Sequence, residues 1–241
     1  MPPYTVVIPV LNDSLALGRL LESLVIGGVQ SAPIVVDGGS EDDSVAVAKR
    51  ANCRVLTAAP GRASQLRCGV AAADTDWIWM LHADSLVSGR VVQALIEATT
   101  EPGWGRFDVQ LPGDEWPLRM VAWWMNTRSR WTGIATGDQG IFVHQTLLRA
   151  AGGIPDQPLM EDIELSKRLK RIARPRCLRA RVVTSARRWQ KHGVVRTILL
   201  MWLLRLAYFS GVSPARLHRI YYRGYRGHRG LTPTTTNRNG N

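Results

Sequence analysis

Several things are scarce in this 241-residue chain, and each scarcity excludes a class of protein. Cysteine occurs three times, at Cys53, Cys68 and Cys177, far apart and without C-x-x-C spacing. An odd and dispersed set supports neither a disulfide framework nor a structural zinc site, so reduced thiols in a cytosolic protein are expected. No run reaches about 18 uncharged apolar residues, and no spanning helix is expected. The opening segment MPPYTVVIPVLNDS lacks the basic n-region and long apolar stretch of a signal peptide and reads as a first strand. The first βα turn, VLNDSLALG, has no G-x-G-x-x-G, and the chain has no G-x-x-x-x-G-K-[ST]. A dinucleotide enzyme of the simple kind and a P-loop NTPase are therefore rejected.

Acid is missing from one region only. Residues 1–164 hold 12 Lys/Arg and 19 Asp/Glu, net −7, whereas residues 165–241 hold 19 Lys/Arg and no Asp or Glu, so the total is +12. A one-signed field of that kind attracts polyanions: nucleic acid, anionic headgroups or a bound diphosphate. The bland reading is a solubilising surface.

What is abundant is core material: the chain is 45% hydrophobic and holds nine tryptophans. Such a chain buries about 70% of its unfolded surface, which excludes disorder and small stapled scaffolds. Short apolar runs at Tyr4–Pro9, Pro33–Asp37, Arg54–Thr57 and Asp76–Leu81 alternate with helical patterns at Leu15–Ile26, Asp43–Arg50, Arg62–Ala73 and Ser88–Ala98. That rhythm specifies βαβ units, an α/β fold with a mostly parallel sheet covered by helices on both faces. Beyond residue 100 the rhythm changes. Trp104–Leu111, Gly140–His144 and Cys177–Val183 read as strands, and Trp116–Arg130, Met160–Ile172, Val194–Phe209 and Pro214–Tyr225 as helices. The expected division is a domain over 1–190, a basic helical extension over 191–229 and a disordered polar tail over 230–241.

In an open parallel sheet ligands bind beyond the carboxyl ends of the strands. Those ends carry Pro9 and Asn12-Asp13, Asp37-Gly38-Gly39-Ser40, and His82-Ala83-Asp84. Adjacent parallel strands would bring Asn12, Asp37 and Asp84 to one crevice. Taken singly, Asn12 and Asp13 read equally well as helix caps and Gly38-Gly39 as a tight turn. Asp84, with His82 two residues before it, suits a hard cation that also takes phosphate oxygens.

VVIPVLND, IVVDGGSEDDS, APGRASQLRCG, MLHADS, WGRFDVQL, TGIATGDQGIFV, PLMEDIELSKRLKR and VVTSARRW occur in this order. Together they resemble family-2 glycosyltransferases of the GT-A fold, and a bacterial subgroup with L-H-A-D in place of D-x-D. The resemblance implies that Pro9, Asn12 and Asp37 line a nucleoside pocket and that Arg62 and Gln65 face the nucleotide and its phosphates. It matches Asp84 to the metal-binding Asp, with Mg²⁺ or Mn²⁺ as the cofactor, and sets His82 where the family has its first Asp. It matches Asp162 to the catalytic base, with Asp138, Glu161 and Trp189 toward the acceptor and Arg188 at the diphosphate. Glu161-Asp162 alone would read as an acidic first turn.

The implied activity is inverting transfer of a sugar from a nucleotide-diphosphate donor. A membrane lipid, polyprenol or carotenoid-type acceptor is the hypothesis that the basic amphipathic C-terminal segment supports. For that segment a core helix and an interfacial helix both remain open, with peripheral contact on the inner face of the cell membrane as the consequence of the second. The alternative function is a non-catalytic RNA- or membrane-binding protein with a vestigial crevice. No RNA-binding motif is present, and no nucleic acid partner is expected. A sugar nucleotidyltransferase ranks last, because its Gly-rich phosphate loop is missing.

Overall fold

The computed structural model describes residues 4–113, 115–187, 189 and 193–226. The expected tail over 230–241, positions 191–192 and 227–229 of the expected extension, and Arg188 lie outside the described residues. The first half contains β1 (Tyr4–Val10), α1 (Ser14–Ile26), β2 (Ile34–Asp37), α2 (Ser44–Arg50), β3 (Arg54–Thr57), α3 (Arg62–Ala71), β4 (Trp77–Met80), β5 (Ser85–Leu86) and α4 (Gly89–Ala98). The second contains β6 (Trp104–Gln110), α5 (Trp116–Thr132), β7 (Phe142–His144), α6 (Gln145–Ala150), α7 (Glu161–Ile172), β8 (Arg176–Thr184), α8 (Val194–Phe209) and α9 (Pro214–Arg226).

One sheet runs through the molecule in the order β3-β2-β1-β4-β7-β6-β8-β5. β3, β2, β1 and β4 are parallel, as the βαβ rhythm requires. β7 then runs antiparallel to both β4 and β6, while β6 and β8 are again parallel. The sheet is thus α/β and mostly parallel, with an antiparallel insertion where the sequence rhythm changes. The two-residue β5 and the six-residue helix α6 have no counterpart in the sequence reading. Elements that short carry no period to detect.

Alternation along β1 shows why both faces are covered. Val6, Ile8 and Val10 pack with Leu17, Leu20 and Leu24 of α1 and Val91 and Leu95 of α4. Val7 points the other way, with Val36, Ile78 and Leu66 of α3 and Leu165 and Leu169 of α7. Each fully buried side chain of this kind contributes about 1.5–3 kcal/mol. α3 lies close on the sheet because residue 69 is glycine: a Cβ there would sit 2.4 Å from Val7 Cγ1. An aromatic chain ties the parallel part to the insertion, with Trp79–Phe107 and Phe107–Phe142 centroids each 5.6 Å apart.

The helix expected at Val194–Phe209 is present as α8, and it is neither wholly core nor detached. Leu204 is buried with Ile134, Met160, Ile163 and Leu217, and Tyr208 donates its hydroxyl to Glu164 on α7 at 2.8 Å. Leu199, Trp202, Leu203, Leu206 and Phe209 are exposed.

Candidate active site

The carboxyl ends of β1 and β2 are occupied by a closed hydrogen-bond system. The Asp37 carboxylate accepts from the Gly39 and Ser40 amides, and Asn12 accepts from the Glu41 amide at 2.7 Å while its own amide donates to Ser40 Oγ. Asn12 takes a left-handed φ of 52°, which asparagine tolerates better than most residues. Gln65 is buried beneath them and donates to the carbonyls of Val10 and Val36 at 2.7 and 2.8 Å. Asn12 and Asp37 therefore meet, and with Gln65 they hold the ends of two strands together, whereas Asp84, expected in the same crevice, lines a cavity that they do not.

The cavity lies beside this system. It measures about 350 Å³, and the first half reaches it with Arg62 at the start of α3 and with His82 and Asp84 after β4. The second half contributes Asp138, Glu161, Asp162 and Trp189 among others. Pro9, Asn12, Asp37 and Gln65 do not line it.

Asp162 owes its position to two contacts between chain segments. Ser166 of α7 accepts from the Ala135 amide and donates to its carbonyl, at 3.1 and 3.2 Å. This docks the helix against the 134–139 segment, where Gln139, fully buried, accepts from the Thr136 amide and donates to Ser129. Asp162 Oδ2 then accepts from the Gly137 amide at 2.8 Å. Met160, with a left-handed φ of 64°, turns the first residues of α7 toward the cavity. A non-glycine residue in that region costs about 1–3 kcal/mol, which the packing around it must offset. Glycine at 137 lets Arg62 and His82 come close to this turn, since a Cβ there would fall 1.4 Å from Arg62 Nη2 and 2.6 Å from His82 Nε2 and would displace both side chains.

The electrostatics divide the carboxylates. Glu161, which the resemblance put on the acceptor side, is buried and pairs with Arg62 Nε at 3.2 Å. Burial raises its pKa above the ordinary carboxylate value, Arg62 opposes that, and neighbouring Asp162 adds to it. Asp138 has one carboxylate oxygen buried without a hydrogen bond. Arg128 on α5 lies within the field of Asp138 and Asp162. Its pKa is pushed down to about 10 by burial and by the like charge of Arg205, against the pull of those two carboxylates.

Arg187 is the residue that sequence reasoning missed. It donates to both carboxylate oxygens of Asp13, at 2.9 and 2.5 Å, and reaches to 3.6 Å from Asp84 Oδ2. Asp13 occupies the N-cap position of α1 but makes no side-chain cap bond, because its carboxylate is turned to Arg187. The doublet Arg187-Arg188 was the available signal, and motif register directed attention to Arg188. Arg205, also on the cavity wall, belongs to the helix read as core or interfacial, and the sequence reading gave it no place in the site.

For a divalent ion the donor set is small. Among the described residues no group of three or more His, Cys, Asp or Glu could hold a metal by itself. Asp84 Oδ1 and His82 Nδ1 are 3.9 Å apart. One carboxylate with an adjacent imidazole fits Mg²⁺ or Mn²⁺ when phosphate oxygens and water complete the shell, the usual arrangement for nucleotide-bound ions.

The model for glycosyl transferase family 2 matches residues 5–132, just over half of the sequence. The chain belongs to this family. No curated protein sequence matches it. Among solved structures, a mannosyltransferase from Pyrobaculum calidifontis in complex with GDP-Man and Mn²⁺ aligns with TM-score 0.61 and 18% identity over 96% of this chain and 66% of that one. Staphylococcus aureus TarS 1-349 in complex with UDP-GlcNAc gives 0.59 and 13% identity over 76% and 58%. Glucosyl-3-phosphoglycerate synthase from Mycobacterium tuberculosis, in complex with Mn²⁺, UDP and glucosyl-3-phosphoglycerate, gives 0.56 and 19% over 85% and 80%. The fold is the GT-A fold, and the chain spans only 58% and 66% of TarS 1-349 and the mannosyltransferase. The matched segment ends before Gly137, so Asp138, Glu161 and Asp162 lie outside it.

Proposed function

We propose that the protein transfers a sugar from a nucleoside-diphosphate donor to a hydroxyl acceptor with inversion at the anomeric carbon. The observation that carries this reading is the meeting of Asp162 with Arg62, His82 and Asp84 around one cavity. The likeness to enzymes crystallised with UDP-GlcNAc, GDP-Man and UDP supports a donor of that class.

In this reading the nucleoside lies toward Pro9, Asn12 and Asp37, whose carboxylate keeps lone pairs beyond those used by the 39–40 turn. The diphosphate lies between Arg62 and Arg187, with Arg188 of the R-W pair nearby in sequence. An acceptor hydroxyl has a pKa far above 7 and needs a base as it attacks. Asp162 takes that proton while the acceptor oxygen bonds to the anomeric carbon and the bond to the phosphate oxygen breaks. The nucleoside diphosphate leaves with the electron pair, and Arg62 and Arg187 stabilise its charge. A divalent ion held by Asp84, with His82 beside it, would supply further neutralisation of the leaving diphosphate. The acceptor enters past Asp138, Glu161 and Trp189. Met201, Leu204 and Tyr221 make that wall partly apolar, which suits a lipid, polyprenol or carotenoid-type acceptor.

Calorimetric titration with UDP-, GDP- and dTDP-sugars, with and without Mn²⁺, tests the reading. One nucleotide sugar should bind in a metal-dependent way in wild type, and Asp84→Ala should remove the metal dependence. No response to any of the donors would overturn it.

A further inference from the structure

The helices that border the cavity carry a second feature that sugar transfer does not explain. α5 is apolar on two sides. Leu118, Val121, Ala122 and Met125 face inward, while Trp116, Met120, Trp123, Trp124 and Trp131 form an exposed stripe at helical spacing. On α8 the stripe Leu199, Trp202, Leu203, Leu206 and Phe209 repeats the pattern. The two are joined by Trp124 and Trp202, stacked with centroids 5.8 Å apart and planes 27° apart. Five of the nine tryptophans are exposed, and all five lie on these two helices. Leaving so much aromatic surface in water is unfavourable, and a patch of this kind marks an interaction site.

Charge identifies the partner. α5, α8 and α9 contain nine arginines and no acid. Beside the α5 stripe lies a groove of about 700 Å³ where Met120 and Trp123 meet Arg119, Arg179 and Arg181; among the described residues its carboxylate is Asp108, which is already held by Arg106 and Arg130. Tryptophan rings at headgroup depth, aliphatic side chains below them and arginines around the rim form the pattern of an interfacial membrane contact. Residues 227–241 contain a single large apolar side chain, Leu231, and so have little to cover the stripe with. No helix among the described residues is long and apolar enough to cross a membrane.

We infer that the joined α5–α8 face docks on an anionic bilayer surface, with the two helices lying in the plane of the interface. This goes beyond the transferase reading and is tested without sugar transfer. Flotation would be measured with vesicles of phosphatidylcholine containing about a third phosphatidylglycerol, and with phosphatidylcholine alone. Wild type should float with the anionic vesicles, more weakly as salt rises. Trp123→Glu and Leu203→Glu should each weaken this by about tenfold or more. Ile26→Glu, at an exposed apolar position on α1 in the acidic half, should change nothing. Nucleotide-sugar binding by the same variants reports folding and the donor site separately. Absence of flotation by wild type, or equal flotation by Leu203→Glu, overturns the inference. A dimer in solution that Leu203→Glu dissociates, without vesicle binding, assigns the face to a second copy of the chain and also overturns it.

Discussion

The two halves of the molecule use their polar residues differently. Up to α4, the polar residues at the strand ends serve the backbone: Asp37 holds the 39–40 turn, Asn12 clasps the 40–41 segment, and buried Gln65 bridges two strand carbonyls. From β6 onward Asn126, Gln139 and Ser166 serve the backbone in the same way, while Asp162, Asp138, Trp189 and Arg205 lie on the cavity wall. The regular half is a platform on which only Arg62, His82 and Asp84 reach the cavity. The irregular half brings Asp162, the proposed base, and the residues of the proposed acceptor side.

The strongest way to break the comparison is to substitute one residue from each side. Asp162→Asn keeps an oxygen for the Gly137 amide, gives up the one that accepts from the Ile163 amide, and removes the proposed base. Turnover should fall by about 10²–10⁴-fold while stability falls by no more than about 1 kcal/mol. A large fall in melting temperature instead would make Asp162 structural, like Asp37.

Gln65→Leu should do the reverse. It removes the side-chain donor to the Val36 carbonyl and the second donor to the Val10 carbonyl, which keeps the Gly38 amide, and should cost about 0.5–1.5 kcal/mol of stability in denaturant unfolding. Stability within experimental error of wild type, with donor affinity lost, would move Gln65 into the binding machinery.

The smallest effect sharpens the boundary at Glu161, where the halves meet through Arg62. Its pKa is raised in the folded state, so the fold favours the protonated form. The stability this contributes is complete below the ordinary glutamate pKa and is lost as pH rises through the raised value. Glu161→Gln mimics the protonated form. It should match wild type in acid and exceed it above neutrality by an amount on the order of 1 kcal/mol. Denaturant midpoints followed from acid to mildly alkaline pH check this, and parallel curves for the two proteins would contradict it.

The parallel strands and their helices were legible because each is long enough to show a period of its own. Residues 5–132 also carry the family match. The antiparallel β7 was legible as a strand but not as the partner of β4 and β6, since pairing between distant segments leaves no mark in local periodicity. Arg187 illustrates the same limit. Its guanidinium meets Asp13, 174 positions away, and nothing near either residue announces it. For α8, composition left core and interface both open, with core the more frequent case. The structure divides it, Leu204 inward and Leu203 outward.

Composition and local pattern, by themselves, determined the α/β architecture, the uneven charge and the order of the chemistry-bearing motifs, because strands and helices declare themselves through side-chain periods of 2 and 3.6 residues. Only the tertiary structure decided which of those polar residues face the cavity and which hold the backbone beside it. A carboxylate or amide can satisfy either demand, and which amides and carbonyls lie within hydrogen-bond reach is set by how the sheet and helices pack.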